Sequence, residues 1–330
     1  MILTGNEHIA VTGAAGFVGS HLVRYLAERN VKVRAVINRS PLPEDLRDHP
    51  SVESYICSIT NRKEMTRCFE GIDVVYHLAT ALGNRIVTDD EFFNINREGT
   101  RNVLSAAIEC GVKKVIHFSS AGVYGRSSGF IAQKETDPLN PIDIYERSKQ
   151  EGEQAALSFS EQLEVVVLRP GWVYGEGDRR TFKLIRQIHS GLFFIAGSGK
   201  INHTPVYVGD LVKAAVMSVE KGKSGEIYNV GYEMVPVETM VNTIAGAMNK
   251  GIIPIKLPIW MVYPPAYLLS RLFALFGKEA PLSPAKLAFF MRGKPLDSSK
   301  IKEEFGIVSY STFAEGMRRA IDWYKANQWL

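Results

Sequence analysis

VTGAAGFVGSHL, running from Val11 to Leu22, is the stretch that decides the fold. An apolar run ends at Val11-Thr12, glycines follow at Gly13, Gly16 and Gly19, and a helical pattern opens with Phe17 and Val18. Glycine lets the backbone turn tightly and come close to a ligand. The first turn of a helix offers unpaired N–H groups and a positive dipole end to a pyrophosphate. The spacing is GxxGxxG rather than GxGxxG. Its strand–loop–helix context near the start of the chain points to a dinucleotide site in which Gly13, Gly16, Phe17, Val18 and Gly19 meet the phosphates.

The same alternation continues outward from this loop. Strands are expected at His8–Thr12, Val31–Ile37, Val52–Cys57, Asp73–Ala79, Lys114–Ser119 and Val165–Leu168, rich enough in Val and Ile to be buried on both faces. Helical patterns such as SHLVRYLAERN and GTRNVLSAAIECG separate them. Strand and helix in repeated succession imply an α/β protein built on a doubly wound parallel sheet, the Rossmann arrangement. Beyond residue 175 the alternation weakens into helices expected at Thr181–Ser190, Asp210–Glu220, Val237–Asn249 and Thr312–Asn327. Residues 1–175 therefore read as a dinucleotide-binding domain, with segments of about 201–231 returning to it. Residues 176–330 read as a smaller, mostly helical substrate lobe.

Composition narrows the classes. In 330 residues, 45% are hydrophobic and 22% charged, with a net charge of +4 and both signs mixed along the chain, so no nucleic-acid-binding stripe is expected. Three cysteines with no CxxC pair argue against a disulfide framework or a zinc site, and for free thiols in a reducing compartment. The opening residues carry no basic, then apolar, leader pattern, which makes the cytoplasm the expected location. The stretch from Ile252 to Gly277 is strongly apolar. Its charge-free run, Leu257 to Ser270, is shorter than the roughly 20 residues a membrane span requires, and Pro264-Pro265 is expected to break it. A buried or pocket-lining segment is the expectation, with an amphipathic membrane contact as the alternative.

The end of the second strand bears on the cofactor. An NAD site usually has an acidic residue there for the ribose hydroxyls. Here the sequence is RAVINRS, with Asn38 and Arg39 and no carboxylate, so Arg39 can meet a 2′-phosphate and the expectation leans to NADP over NAD. Further along, YERSK sets Tyr145 four residues before Lys149, one helical turn apart on one face. A tyrosine with its ordinary pKa near 10 is a poor base at neutral pH. A neighbouring cation favours the phenolate, which would make proton transfer efficient in both directions. Asp143 and Glu146 around Tyr145 have the spacing of a capping box that would start this helix.

TGAAGFVG, DVVYHLAT, NREGTRNVL, SSAGVYG, YERSK, RPGWVYGEGD and VYVGDLVKA stand in the order in which they occur in extended short-chain dehydrogenases/reductases. The chain resembles that family, which includes nucleotide-sugar epimerases and dehydratases, over nearly its whole length. The resemblance implies that Tyr145 is the catalytic acid or base and that Lys149 holds the nicotinamide ribose. Ser120, with Ser119 as a substitute, would bond the reacting oxygen. It further implies that Leu78, Ala79 and Thr80 pack along the cofactor, that Asn96 orders the active-site helix and strand, and that Pro170 borders the nicotinamide. Where the family often has Gly-Asp after the third strand, this chain has Cys57-Ser58, so Ser58 or the backbone of Ile59 would take over the adenine contact.

The substrate side is implied to comprise Ala81, Tyr124, Trp172 and Arg179. Trp172 stands where sugar-nucleotide enzymes often have asparagine, which suggests a flatter, more apolar substrate. Arg179 and Arg180 could instead grip a diphosphate. Two substrate classes follow: a nucleotide sugar, or an apolar ring alcohol or ketone of the kind handled by hydroxysteroid dehydrogenase-like and flavonoid-reductase-like relatives. A cofactor sensor without turnover is a third reading, opposed by the intact Ser, Tyr and Lys set. The resemblance also implies a homodimer formed through a four-helix interface.

Overall fold

The computed structural model describes residues 7–82, 88–191, 193–249, 255–276, 278 and 280–330. The opening stretch behind the leader reading, residues 1–6, lies outside them, as do 252–254 and 277 of the apolar segment.

The first half is β1 (His8–Thr12), α1 (Phe17–Ala27), β2 (Lys32–Ile37), α2 (Glu44–Arg47), β3 (Val52–Ile56), α3 (Arg62–Phe69) and β4 (Val74–His77). It continues with α4 (Asp89–Phe93), a π-helical segment at Asn94–Glu98, α5 (Gly99–Glu109), β5 (Lys114–Phe118), α6 (Ile144–Leu157) and β6 (Glu164–Pro170). Next come β7 (Trp172–Tyr174), α7 (Arg179–His189), β8 (Phe194–Ala196), β9 (Asn202–His203), β10 (Pro205–Tyr207), α8 (Val208–Lys221) and β11 (Ile227–Val230). The chain closes with β12 (Val235–Pro236), α9 (Val237–Ala247), β13 (Ile255–Leu257), α10 (Ile259–Ala274), α11 (Pro284–Met291), α12 (Ser299–Phe305) and α13 (Phe313–Ala326).

Among the described residues, β11, β6, β5, β4, β1, β2 and β3 form a seven-stranded sheet in that order. Every neighbouring pair in it is parallel. Parallel strands joined by helices are covered on both faces, which is why β4 and β5 are buried from end to end. On one face Leu22, Val23 and Leu26 of α1 pack with Leu211, Val212 and Val219 of α8. On the other, Met65, Cys68 and Phe69 of α3 pack with Val103, Leu104 and Ala107 of α5. A third core, built from Ile185 and Ile188 of α7, Met240 and Ile244 of α9 and Met317 and Ile321 of α13, stands apart from the sheet. The chain leaves β1 towards β2 but β4 towards β5, so strand order reverses between β1 and β4 and opens a crevice at their C-terminal ends.

Two features depart from the sequence reading. α12, inside the stretch read as substrate lobe, carries Ile301 and Phe305 back into the core of the sheet. The apolar segment is neither broken nor buried: α10 runs straight through Pro264 and Pro265 and buries only Val262 and Ala266. The two prolines cost the carbonyls of Trp260 and Met261 their helical partners, and both of those residues sit at exposed positions. No helix of the described residues is long and apolar enough to cross a membrane. Cys57, Cys68 and Cys110 are free thiols, and no cluster of His, Cys, Asp or Glu among the described residues could hold a metal ion.

Candidate active site

Gly13 sits at φ +72° with its Cα pressed against the end of β4. A Cβ there would lie 2.8 Å from Ala79 N, so only glycine closes this turn. Gly16 then caps α1 without any side-chain bond, and the first turn holds no acidic residue. The N–H groups around Phe17, Val18 and Gly19 thus face the crevice with a positive dipole end, which fits a pyrophosphate. Behind the loop, Thr12 Oγ1 accepts the backbone N–H groups of Leu78 and Ala79, each at 3.2 Å. Asn38 and Arg39 are exposed at the end of β2. They lie alongside Cys57-Ser58, because Cys57 N donates to Ile37 O at 2.9 Å. Ser58 Oγ bonds Thr60 Oγ1 at 2.8 Å, and Ile59 O accepts Asn102 Nδ2 at 3.1 Å.

A hydrogen-bond chain ties this loop to the neighbouring helices. Thr100 Oγ1 donates to Asn96 O at 2.7 Å, so it can only accept from His77 Nε2, 3.0 Å away. His77 Nδ1 is then the acceptor for the Thr12 hydroxyl at 2.8 Å. Burial lowers the pKa of His77 to about 3 and keeps the ring neutral. Asn96, inside the π-helical turn, accepts Ala81 N at 2.8 Å and the Thr80 hydroxyl at 2.9 Å, and gives Nδ2 to Ser148 Oγ at 2.8 Å. Ser148 closes the chain by donating to Tyr145 O at 2.8 Å. Thr80, Ala81, Asn96 and the helix carrying Tyr145 are therefore one unit.

Tyr145 lies in the first turn of α6, half-buried, with Ser120 near enough to lower its phenol pKa. Ser120 stands where β5 gives way to the short turn at Ala121–Tyr124, and its Oγ accepts Gly122 N at 3.0 Å. Lys149 is buried one turn beyond Tyr145 and donates to Phe118 O, at the end of β5, at 2.6 Å. Ser119 Oγ is buried with no partner among the described residues.

The electrostatics differ from the expectation. Burial pushes the Tyr145 phenol up, while the Ser120 side chain and then the charge of Arg180 pull it down. The other charges acting most on it are Asp143 and Glu146, not Lys149, whose ammonium is turned to the Phe118 carbonyl. Burial lowers Lys149 itself to about 8, with the Glu153 carboxylate opposing the shift. The capping box is present only in part. Asp143 accepts Glu146 N at 2.8 Å, but Glu146 Oε2 reaches past the cap to Ile142 N at 2.8 Å. Its other oxygen pairs with Lys294, which also donates to Gly122 O at 3.2 Å.

The substrate-side expectations divide. Tyr124 is fully buried, and its hydroxyl is committed to Asn229 Oδ1 and Arg169 Nη1, both at 2.8 Å, so it cannot meet a substrate. Arg169 in turn forms a buried two-pronged pair with Glu153 at 2.9 and 2.5 Å. Arg179 lies over the Trp329 ring, and the charge that reaches Tyr145 is that of its neighbour Arg180. Trp172 is half-buried in an aromatic group with Tyr174, Phe289 and Phe313. Pro170 is buried at the end of β6 and pairs with Val230. Sequence reasoning missed Arg169, Glu153, His77, Thr100 and Lys294. Only Glu153, at Lys149 plus four on the same helix face, left a signal.

A parallel sheet with this strand reversal, a glycine loop at the switch point and a Ser, Tyr and Lys group at the sheet's C-terminal edge define a Rossmann-type dinucleotide enzyme. The model of the NAD dependent epimerase/dehydratase family matches residues 9–231, and the chain belongs to that family. It is similar to the N-acetyl-alpha-D-glucosaminyl-diphospho-ditrans,octacis-undecaprenol 4-epimerase of Escherichia coli O157:H7, 25% identical over 96% of this chain and 95% of that protein. It is also similar to the sterol demethylase protein B of Methylococcus capsulatus, 29% identical over 96% and 97%. Among solved structures, the UDP-glucose 4-epimerase of Thermotoga maritima with UDP-glucose superposes with a TM-score of 0.79, at 25% identity over 97% of this chain and 99% of that one.

Proposed function

We propose that this enzyme transfers a hydride at a secondary alcohol or ketone in the manner of the nucleotide-sugar epimerases and dehydratases, with Tyr145 as acid and base. One observation carries the reading: Tyr145 stands close enough to Ser120 for that side chain to favour its phenolate, while Lys149 is anchored one turn further along the same helix. A dinucleotide seated along Gly13 to Gly19 would take a hydride from the carbinol carbon and return one to the carbonyl carbon. Tyr145 accepts the hydroxyl proton when the alcohol is oxidised and restores it when the carbonyl is reduced. Ser120 donates to the same oxygen and stabilises the charge that builds there. The raised phenol pKa keeps Tyr145 protonated at neutral pH, the form needed for reduction. The positive charge near an oxidised nicotinamide favours the opposite step. Arg39, exposed at the end of β2 with no carboxylate beside it in the sequence, supports NADP over NAD as the dinucleotide.

A second substrate reading has its own support. The aromatic group of Trp172, Tyr174, Phe289 and Phe313 offers ring faces rather than amide donors, which suits an apolar ring alcohol or ketone. Both readings share the proton transfer, so one experiment tests them together. Tyr145→Phe removes the proton and keeps the ring. Turnover on the active substrate, found from a panel of nucleotide sugars and hydroxysteroids, is expected to fall by about 10²–10⁴-fold. Dinucleotide affinity by calorimetry is expected to stay unchanged. Turnover close to that of the parent chain would overturn the assignment.

A further inference from the structure

α10 has no counterpart in the chemistry above. It runs for 16 residues and buries only Val262 and Ala266, four apart on one seam. Trp260 (75% exposed), Met261, Tyr263, Tyr267, Leu268 (70%) and Leu272 lie open along the rest of it. Leu275 (81%) and Phe276 (71%) extend the patch past its end. Scattered apolar residues on a surface are ordinary, but a continuous apolar run of this kind marks a site of contact.

Charge says what fits there. From Lys250 to Lys294 the sequence holds seven Lys or Arg (250, 256, 271, 278, 286, 292 and 294) and one acidic residue, Glu279. Lys256 pairs with Glu238 and Lys294 with Glu146. Arg271 and Lys278 are exposed beside Leu272, Leu275 and Phe276. The Arg271 guanidinium donates to Tyr267 Oη at 3.1 Å, which holds a cation against an exposed ring. Trp and Tyr among aliphatic residues, with Arg271 and Lys278 towards the C-terminal end of the patch, suit the headgroup layer of a bilayer. A second copy of this chain is the poorer fit, because a two-fold contact through this face would bring together two surfaces that both carry Arg271 and Lys278.

We propose that α10 and the residues up to Phe276 lie flat on an anionic phospholipid surface, with the apolar side chains in the acyl boundary and Arg271 and Lys278 at the phosphates. This goes beyond the reaction assigned above and does not depend on it. The contact would bring a bilayer close to the aromatic group, because the next helix, α11, packs on α10 and carries Phe289 against Trp172.

Flotation of the full chain with vesicles tests this without any turnover. Vesicles of phosphatidylcholine mixed with phosphatidylglycerol are expected to carry the protein up, phosphatidylcholine alone far less, and added salt is expected to release it. Leu268→Glu combined with Leu272→Glu, both at exposed positions, is expected to weaken flotation by about tenfold or more. The thermal midpoint of that variant should match the parent's. Where the double variant fails to fold, hydrogen exchange of the parent chain supplies the readout: vesicles are expected to slow exchange across Ile259–Ala274. Failure of the parent to float on the mixed vesicles overturns the proposal. So does equal flotation of parent and variant, unchanged exchange in α10, or a dimer that the variant abolishes while neither form binds lipid.

Discussion

Lys149 holds its charge where burial works against it. Its pKa is brought down to about 8, and the Glu153 carboxylate one turn further along α6 pulls the other way. Glu153 also meets Arg169 in a pair whose side chains are both 2% exposed. One carboxylate therefore offsets two buried cations, and Glu153→Gln should register at both. The Lys149 pKa should fall further, because its opposing charge is gone. The alkaline limb of a kcat/KM profile that depends on the ammonium should then move to lower pH. Arg169, left buried without its partner, should lower the unfolding free energy by about 3–5 kcal/mol. A profile unmoved by the change would mean that Lys149 does not feel Glu153. At this scale the sequence was readable where two residues share one helix face a turn apart, as Tyr145 and Lys149 do. It was silent where they are joined only by the fold, as Lys294 and Glu146 are across 148 positions and Thr12 and His77 across 65. The direction of the Tyr145 shift was misread for a related reason: spacing reveals a neighbouring charge but not how much water burial removes.

α6 carries Tyr145 and Lys149, and its position is set by contact with the π-helical turn at Asn94–Glu98. Gly152 is the point of closest approach, since a Cβ there would lie 2.3 Å from Asn96 O. The Asn96 carbonyl also accepts the Thr100 hydroxyl, and its side chain holds Thr80, Ala81 and Ser148. It cannot give way without loosening that whole unit. Gly152→Ala improves helix propensity and would be neutral or stabilising on an exposed face. Here it should cost about 1–3 kcal/mol from overpacking, read by urea unfolding. Faster hydrogen exchange in Asn94–Glu98 should accompany the loss. A stabilised variant would mean that the two helices slide apart freely. Element type was legible along the sheet because buried strands and amphipathic helices differ in period. The π turn was not, since one inserted residue leaves no mark on an apolar pattern. α10 was misjudged because proline and apolar composition were read as burial, when the packed surface it meets covers only one seam.

Across the whole molecule, buried histidines set the acid limit. Burial holds His77 at about 3 and His203 at about 4, and pushes His21 and His117 below the ordinary 6.5. They belong to different parts of the fold: His21 to α1, His77 and His117 to the adjacent strands β4 and β5, and His203 to β9, where it stacks on Phe289. A group whose pKa is depressed in the fold gives stability above its unfolded pKa and loses it as pH falls towards the folded one. Between about pH 6.5 and 4 the unfolded chain gains protons that the native chain refuses. His77 and His203 then each remove about 1.4 kcal/mol per pH unit, with His117 and His21 acting in the same direction. The paired carboxylates Asp45, Asp73 and Asp297 are also lowered, but from 3.8, so most of their loss falls below that window. Several histidines acting together should exhaust a stability of about 5–15 kcal/mol within two pH units or so. Cooperative unfolding is therefore expected between about pH 6 and 4, followed by far-UV circular dichroism. Replacing His203 with Phe, which keeps a ring on Phe289, should shift the midpoint to lower pH. A midpoint below about 3.8 would mean that the buried histidines do not set the acid limit.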